Sequence, residues 1–117
     1  KIDVPAEFEQ AKDFGFATML SNLLENAFIA VCKVPDSQER KVSVRIEPKK
    51  EQLIIEIRNN YFGKLDISRE TGLPVTDKVD GHGYGLVSVS NYARKSGALL
   101  KFRPEGQLLV VQYITNL

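Results

Sequence analysis

Three short stretches of this 117-residue chain carry residue types with chemistry to offer. The first is D-G-H-G-Y-G-L-V-S-V, residues 80–89, where Gly81, Gly83 and Gly85 strip side chains from alternate positions just before an apolar, helix-like run. Bare amides leading into a helix N-terminus make an anion site, because unpaired N–H groups and the positive end of the helix dipole both attract phosphate. A plain flexible turn has the same composition. The spacing is not the dinucleotide-binding G-x-G-x-x-G, since the third glycine comes one residue early and a loop precedes it, and no G-x-x-x-x-G-K-[ST] occurs. The second stretch is S-N-L-L-E-N-A, residues 21–27. Asn22 and Asn26, four apart, share a helix face, and Glu25 flanks them at three-residue spacing. Asparagine is a poor helix-interior residue. Amide and carboxylate oxygens suit a hard cation such as Mg²⁺, which takes few protein ligands and completes its shell with substrate phosphates; a solvated helix face is the competing reading. The third stretch is I-R-N-N, residues 57–60. Asn59 continues the inward alternation of Ile55 and Ile57, so an apolar strand ends on an amide. That amide can serve as a hydrogen-bonding handle for a planar ligand or end the strand in a turn.

These residues need elements to hold them. A helix is predicted from about Phe8 to Val34, where Phe16, Leu20, Leu23, Ala27, Ala30 and Val34 recur at helical spacing and Pro35-Asp36 ends the run. Residues 1–7 read as a short extended lead-in. K-V-S-V-R-I-E-P and L-I-I-E-I-R-N alternate as two strands around a K-K-E-Q turn and predict a hairpin. Residues 61–80 have no period, few apolar anchors and two glycines, and a structureless stretch this long in a compact domain is usually functional or mobile. Residues 86–97 predict a helix facing inward through Leu86, Val89 and Ala93 and stopping at Gly97. A-L-L-K-F-R and Q-L-L-V-V-Q-Y-I predict two more strands about a turn at Pro104-Glu105-Gly106. Hairpins outnumber possible crossover units, which excludes a doubly wound parallel sheet. The order predicts one α+β domain over residues 1–117, a two-layer sandwich with helices on one face of a mixed, mostly antiparallel sheet.

Composition narrows the partners. Hydrophobic residues at 43% and charged residues at 26% describe an ordinary globular chain, and a net charge of +1 offers no basic field for nucleic acid. The single cysteine, Cys32, cannot form an internal disulfide and suits a reducing compartment; it reads as a packed or half-exposed thiol. No apolar run reads as long enough to span a membrane, and no signal peptide is visible. The chain starts at Lys1 without a methionine, as an excised domain would, and the remainder of such a protein could include membrane helices.

Taken together, N-L-L-E-N-A on a helix, a strand running into N-N-Y-F-G, a long loop, and G-H-G-Y-G-L opening a second helix resemble the Bergerat-fold ATPases, the superfamily of gyrase, MutL and the histidine kinases. The resemblance spans nearly the whole chain and is nearest to the catalytic ATP-binding domains of sensor histidine kinases. Within these it is similar to the accessory-gene-regulator type that senses peptide pheromones, as G-H-G-Y-G-L and the preceding G-L-P-V-T suggest. It implies a cytoplasmic domain that binds Mg²⁺ and ATP and passes the γ-phosphoryl group to a histidine on a separate dimerisation domain. A response regulator acts downstream, and the full-length protein could be dimeric and anchored in the cell membrane. It also implies roles. Asn26 holds Mg²⁺, Asn22 lies beside the phosphates with Glu25 available to assist, and residues 61–80 form an ATP lid offering Lys64, Arg69 and Lys78. Gly81, His82, Gly83, Tyr84, Gly85 and Leu86 line the phosphate loop. Asn59 stands where the superfamily's D-x-G-x-G motif places its adenine-reading Asp, and of that motif only Gly63 remains. Hydrolytic members carry a water-activating Glu where this chain has Asn22, and an amide cannot act as a general base. Transfer to a positioned acceptor is therefore favoured over hydrolysis. His82, inside the cradle, is not the acceptor. A degenerate nucleotide-binding regulatory module without phosphotransfer is the alternative expectation, and an ATP-driven clamp of the MutL kind is disfavoured by Asn22.

Overall fold

The two alternating pairs become two hairpins of one sheet. The computed structural model describes residues 14–75 and 83–116. Its elements are α1 (Phe14–Cys32), β1 (Val42–Lys49), β2 (Gln52–Asn60), α2 (Gly83–Lys95), β3 (Leu99–Glu105) and β4 (Leu108–Asn116). The strand order is β1-β2-β4-β3, and all three ladders are antiparallel, where the sequence reading allowed a mixed sheet. The second hairpin pairs its last strand with β2, so the most apolar strands, β2 and β4, take the centre. Pro48 and Pro104 fall on the edge strands β1 and β3, where a missing N–H leaves no ladder bond unmade. Pro104 pairs with Leu109 inside β3, so the second turn sits one step later than predicted, at Gly106-Gln107, with Gly106 at φ 61°.

Period-2 alternation points Leu53, Ile55, Ile57, Leu109, Val111, Tyr113 and Phe102 at the helices, and all are buried. Among the described residues, two helices cover that face. The buried stripe of α1 is Phe16, Met19, Leu23, Ala27 and Val31; Leu20 and Ala30, expected inside, are half-buried on its flanks. Phe16 meets Tyr113 edge-to-face at 6.1 Å. The start of the predicted helix, residues 8–13, and the lead-in lie outside the described residues. At the C-terminus of α1, Arg40 Nε donates to Val34 O at 2.9 Å while its other nitrogen pairs with Asp36 at 2.8 Å, so a cation satisfies a carbonyl left over beyond the helix end. Helix α2 contributes Leu86, Val89 and Ala93 as predicted, but begins at Gly83. It stops at Gly97, whose φ of 70° lets Ala98 N reach back to Ala93 O at 2.8 Å.

Two expectations need correction. Gly15–Cys32 is long and apolar enough to match a membrane span by length and composition, with a mean hydropathy of 1.3. Its buried residues, Phe16, Met19, Leu23 and Ala27, pack into the core with the sheet. The second concerns the apolar anchors of residues 61–75: no helix or named strand forms there, as the lack of period implies, yet the segment is fastened to the core. Ile67 and Pro74 form an antiparallel bridge, Val75 N donates to Asp66 O and Ser68 N to Leu73 O, both at 2.9 Å, and Gly72 N closes the tip on Ser68 O at 2.8 Å. Leu73 is buried in the core, with Leu65 and Ile67 packed against it. Single apolar residues spaced irregularly anchor this loop, and no period exists to reveal them.

Candidate functional site

Asn22 and Asn26 lie on one flank of α1, half-buried and one turn apart. Opposite them, α2 packs against α1 with its first turn toward Asn22: a Cβ built on Gly85 would lie 3.8 Å from Asn22 Cγ and 4.0 Å from its Oδ1. The first two stretches singled out in the sequence are therefore neighbours, with Asn22 and Gly85 63 residues apart in the chain. Those distances are of ordinary van der Waals length, so the protein itself leaves room for a methyl group at Gly85. Gly83 and Tyr84 form the first turn of α2 with Gly85. Leu86 points into the core, which leaves only its backbone for a ligand. Lys78, Gly81 and His82 lie outside the described residues.

Glu25 follows Asn22 by three residues on α1. It is exposed and lines a groove of about 840 Å³ along the outward side of α1, among Leu20, Leu24, Phe28, Ile29 and Cys32. Cys32 is exposed rather than packed. Among the described residues no group of three or more His, Cys, Asp or Glu side chains comes together, so a cation beside α1 would rely on amide oxygens and on oxygens brought by its ligand.

Asn59 points inward at the end of β2, as its alternation demands, with 0% exposure. Its ladder neighbours are Val42 on β1 and Leu109 on β4. Its Nδ2 donates to Asn60 O at 3.1 Å, while Oδ1 is buried with no partner among the described residues. A buried polar atom left unpaired is costly and rare, and such an atom marks a place where a ligand can complete the bonding. The polar handle expected here is present, with one acceptor position open.

Sequence reasoning missed the two residues that fix this end of the strand. Asn60 points outward and clamps the segment before β1: its Oδ1 accepts from Lys41 N at 2.8 Å and its Nδ2 donates to Glu39 O at 2.6 Å. Tyr61 N donates to Gln107 O at 3.2 Å and its hydroxyl to Gly106 O at 2.8 Å. The doubled Asn was the available signal, since two adjacent amides on a strand face opposite sides and need separate partners. Gly63 and Lys64 follow, exposed, and Arg69 stands exposed at the tip of the 66–75 loop. Among the described residues, neither cation bonds to Asn22.

The sheet's outer face holds a second buried polar residue of β2. Glu56 pairs with Arg58 at 3.2 Å and Arg45 at 3.3 Å and accepts from Gln112 Nε2 at 3.1 Å. Burial pushes its carboxyl up, but the Arg58 and Gln112 hydrogen bonds and the charges of Arg58 and Arg45 together outweigh it and hold the group below the usual carboxylate range.

No curated protein matches the chain in sequence. Solved structures match it in fold. The nucleotide-free catalytic domain of histidine kinase ThkA superposes with a TM-score of 0.66 at 16% identity, covering 87% of this chain and 66% of that one. Acinetobacter baumannii histidine kinase AdeS gives 0.62 at 15%, with 87% and 45% covered. The Erythrobacter litoralis EL346 blue-light activated histidine kinase gives 0.62 at 19%, with 100% and 34% covered. The chain thus spans just under two thirds, under half and about a third of these proteins. At such identities the likeness speaks for the fold: helices on one face of a four-stranded antiparallel sheet. The sequence profile of the GHKL domain covers residues 12–115, almost the entire chain and every stretch discussed above. The chain belongs to the GHKL domain family.

Proposed function

We propose that this chain is the ATP-binding catalytic domain of a two-component sensor histidine kinase, which transfers the γ-phosphoryl group of Mg·ATP to a histidine on a separate dimerisation domain. The observation that carries the reading is the closeness of the Asn22 side chain to Gly85 at the first turn of α2. It sets an amide oxygen beside the positive end of a helix, with Asn26 one turn further along the same face, and that is an arrangement for phosphate and a hard cation. The open acceptor at Asn59 supplies a handle for the base. When bound, the metal would neutralise phosphate charge and orient the transferring group. Asn26 would be its protein ligand, Asn22 would border the phosphates, and the glycine-rich stretch Gly81 to Leu86 would offer them backbone amides. Lys64, Arg69 and Lys78 are the lid cations. Asn22 has no basic group with which to activate water, so the domain transfers to a positioned acceptor rather than hydrolysing. Glu25, which lines the groove on α1, is the carboxylate available to assist.

The finer assignment, a peptide-pheromone receptor kinase of the accessory-gene-regulator type acting in quorum sensing, rests on the G-H-G-Y-G-L and G-L-P-V-T motifs. The reading places the domain in the cytoplasm, with a response regulator as the downstream partner and a dimeric, membrane-anchored full-length protein. A second reading, a regulatory module that binds nucleotide without transfer, is favoured by one feature: Asn59-Asn60-Tyr61-Phe62-Gly63 keeps only the last glycine of the superfamily motif.

Calorimetry with Mg·ATP, with and without EDTA, tests both. Binding is expected, is lost with EDTA, and is lost in Asn26→Ala while the fold is kept. γ-labelled ATP should then label a supplied dimerisation domain and not the isolated chain. Binding without transfer selects the regulatory module, and no binding at millimolar nucleotide ends both readings.

A further inference from the structure

Asn59 is not free to read a base in either direction. A buried carboxamide can in principle present its oxygen or its nitrogen, but here the neighbouring bonds decide. The nitrogen donates to Asn60 O at 3.1 Å, and turning the amide over would bring Oδ1 to that carbonyl, oxygen against oxygen with no proton between. The carbonyl cannot move aside. The Asn60 side chain is bonded to Glu39 and Lys41 on one side, and Tyr61 is bonded to Gly106 and Gln107 on the other, so the peptide group between them is held at both ends.

We infer that the Asn60 carbonyl sets the base specificity of this site by engaging the Asn59 nitrogen and leaving Oδ1 as the one group presented. The inference rests on the nucleotide-binding reading above. A base that brings an exocyclic amino group, as adenine does, completes the bond. A base that brings a carbonyl at that position, as guanine and hypoxanthine do, meets acceptor with acceptor. Specificity arises from that refusal as much as from the bond. Asn60 and Tyr61 are positioning residues: they hold the carbonyl that holds the amide. A carboxylate would serve worse here than the amide. Asn59→Asp replaces the donating nitrogen with an oxygen facing Asn60 O and loses the one bond the side chain makes among the described residues.

Calorimetric affinities of Mg·ATP, Mg·GTP and Mg·ITP decide the matter. The unmodified chain is expected to prefer ATP over both others by roughly tenfold to a hundredfold, the range of one buried hydrogen bond made or opposed. That comparison needs no variant to fold. Asn59→Asp should weaken ATP by about tenfold or more on the same scale. Asn60→Ala should lower the ATP-to-GTP ratio several-fold, a readout that a general loss of stability would not move. ATP binding with equal GTP or ITP affinity, an Asn59→Asp variant that holds ATP as well as the unmodified chain, or a ratio unchanged by Asn60→Ala overturns the inference and leaves the nucleotide reading intact. Binding of none of the three removes both.

Discussion

Strand β2 buries two polar side chains three residues apart, and they are treated oppositely. Glu56 lies on the sheet's outer face within reach of Arg45, Arg58 and Gln112, so both carboxylate oxygens are engaged. Asn59 lies on the inner face among Val42, Leu109 and the helices, with one bond to a backbone carbonyl and one acceptor left open. Both are buried, so burial does not separate structure from function; completeness of bonding does. A satisfied polar group ties elements together, whereas an unsatisfied one is retained against its cost because something else completes it.

The contrast is broken most directly by truncating each residue in turn. Asn59→Ala should cost roughly 1–3 kcal/mol of ATP affinity. It should change stability by less than about 1 kcal/mol, because the bond lost is offset by removal of an unpaired oxygen. Glu56→Ala should do the reverse. Stability should fall by about 1–2 kcal/mol, less than for a fully buried pair because Arg45 and Arg58 are exposed enough to rehydrate, and ATP affinity should hold. Urea midpoints and calorimetry on both variants measure the four quantities, and a large stability loss in Asn59→Ala would make Asn59 a structural residue like Glu56.

Acidity sharpens the same comparison. The Glu56 carboxyl sits below the usual range in the folded state, so its contribution to stability is present above the unfolded-state value and is lost as pH falls through the folded one. Between about pH 7 and pH 3, Glu56→Gln should flatten this part of the decline in stability. Urea midpoints across that range that fall in parallel for the two proteins would show that Glu56 does not carry it.

The smallest effect is expected at Gly85. Its neighbours leave room for a methyl group, and alanine in a helix is favoured over glycine by about 0.5–1 kcal/mol. Gly85→Ala should therefore raise the melting temperature slightly while weakening Mg·ATP, because the added carbon occupies the surface that Asn22 and the helix start present together. A more stable variant with undiminished ATP affinity would remove Gly85 from the site.

How much of this was legible in the residues alone follows from what each signal depends on. Alternation in V-S-V-R-I and L-I-I-E-I placed the strands and turned Asn59 inward, because period 2 is a local property of extended chain. The four-residue spacing of Asn22 and Asn26 put them on one helix face for the same kind of reason. Gly97 ended α2 because only a residue tolerant of positive φ fits there. Sequence did not show which strand lies beside which, since β2 pairs with β4 far along the chain, from Asn60 with Leu108 to Gln52 with Asn116. It did not show that Leu73 anchors a loop without period, that Glu25 lines a groove along α1, or that Asn22 lies beside Gly85. Those facts are set by packing between distant segments. The direction of the Asn59 amide belongs with them: residue type supplied both an oxygen and a nitrogen, and the carbonyl of a peptide clamped to two other segments decided which one remained to be used.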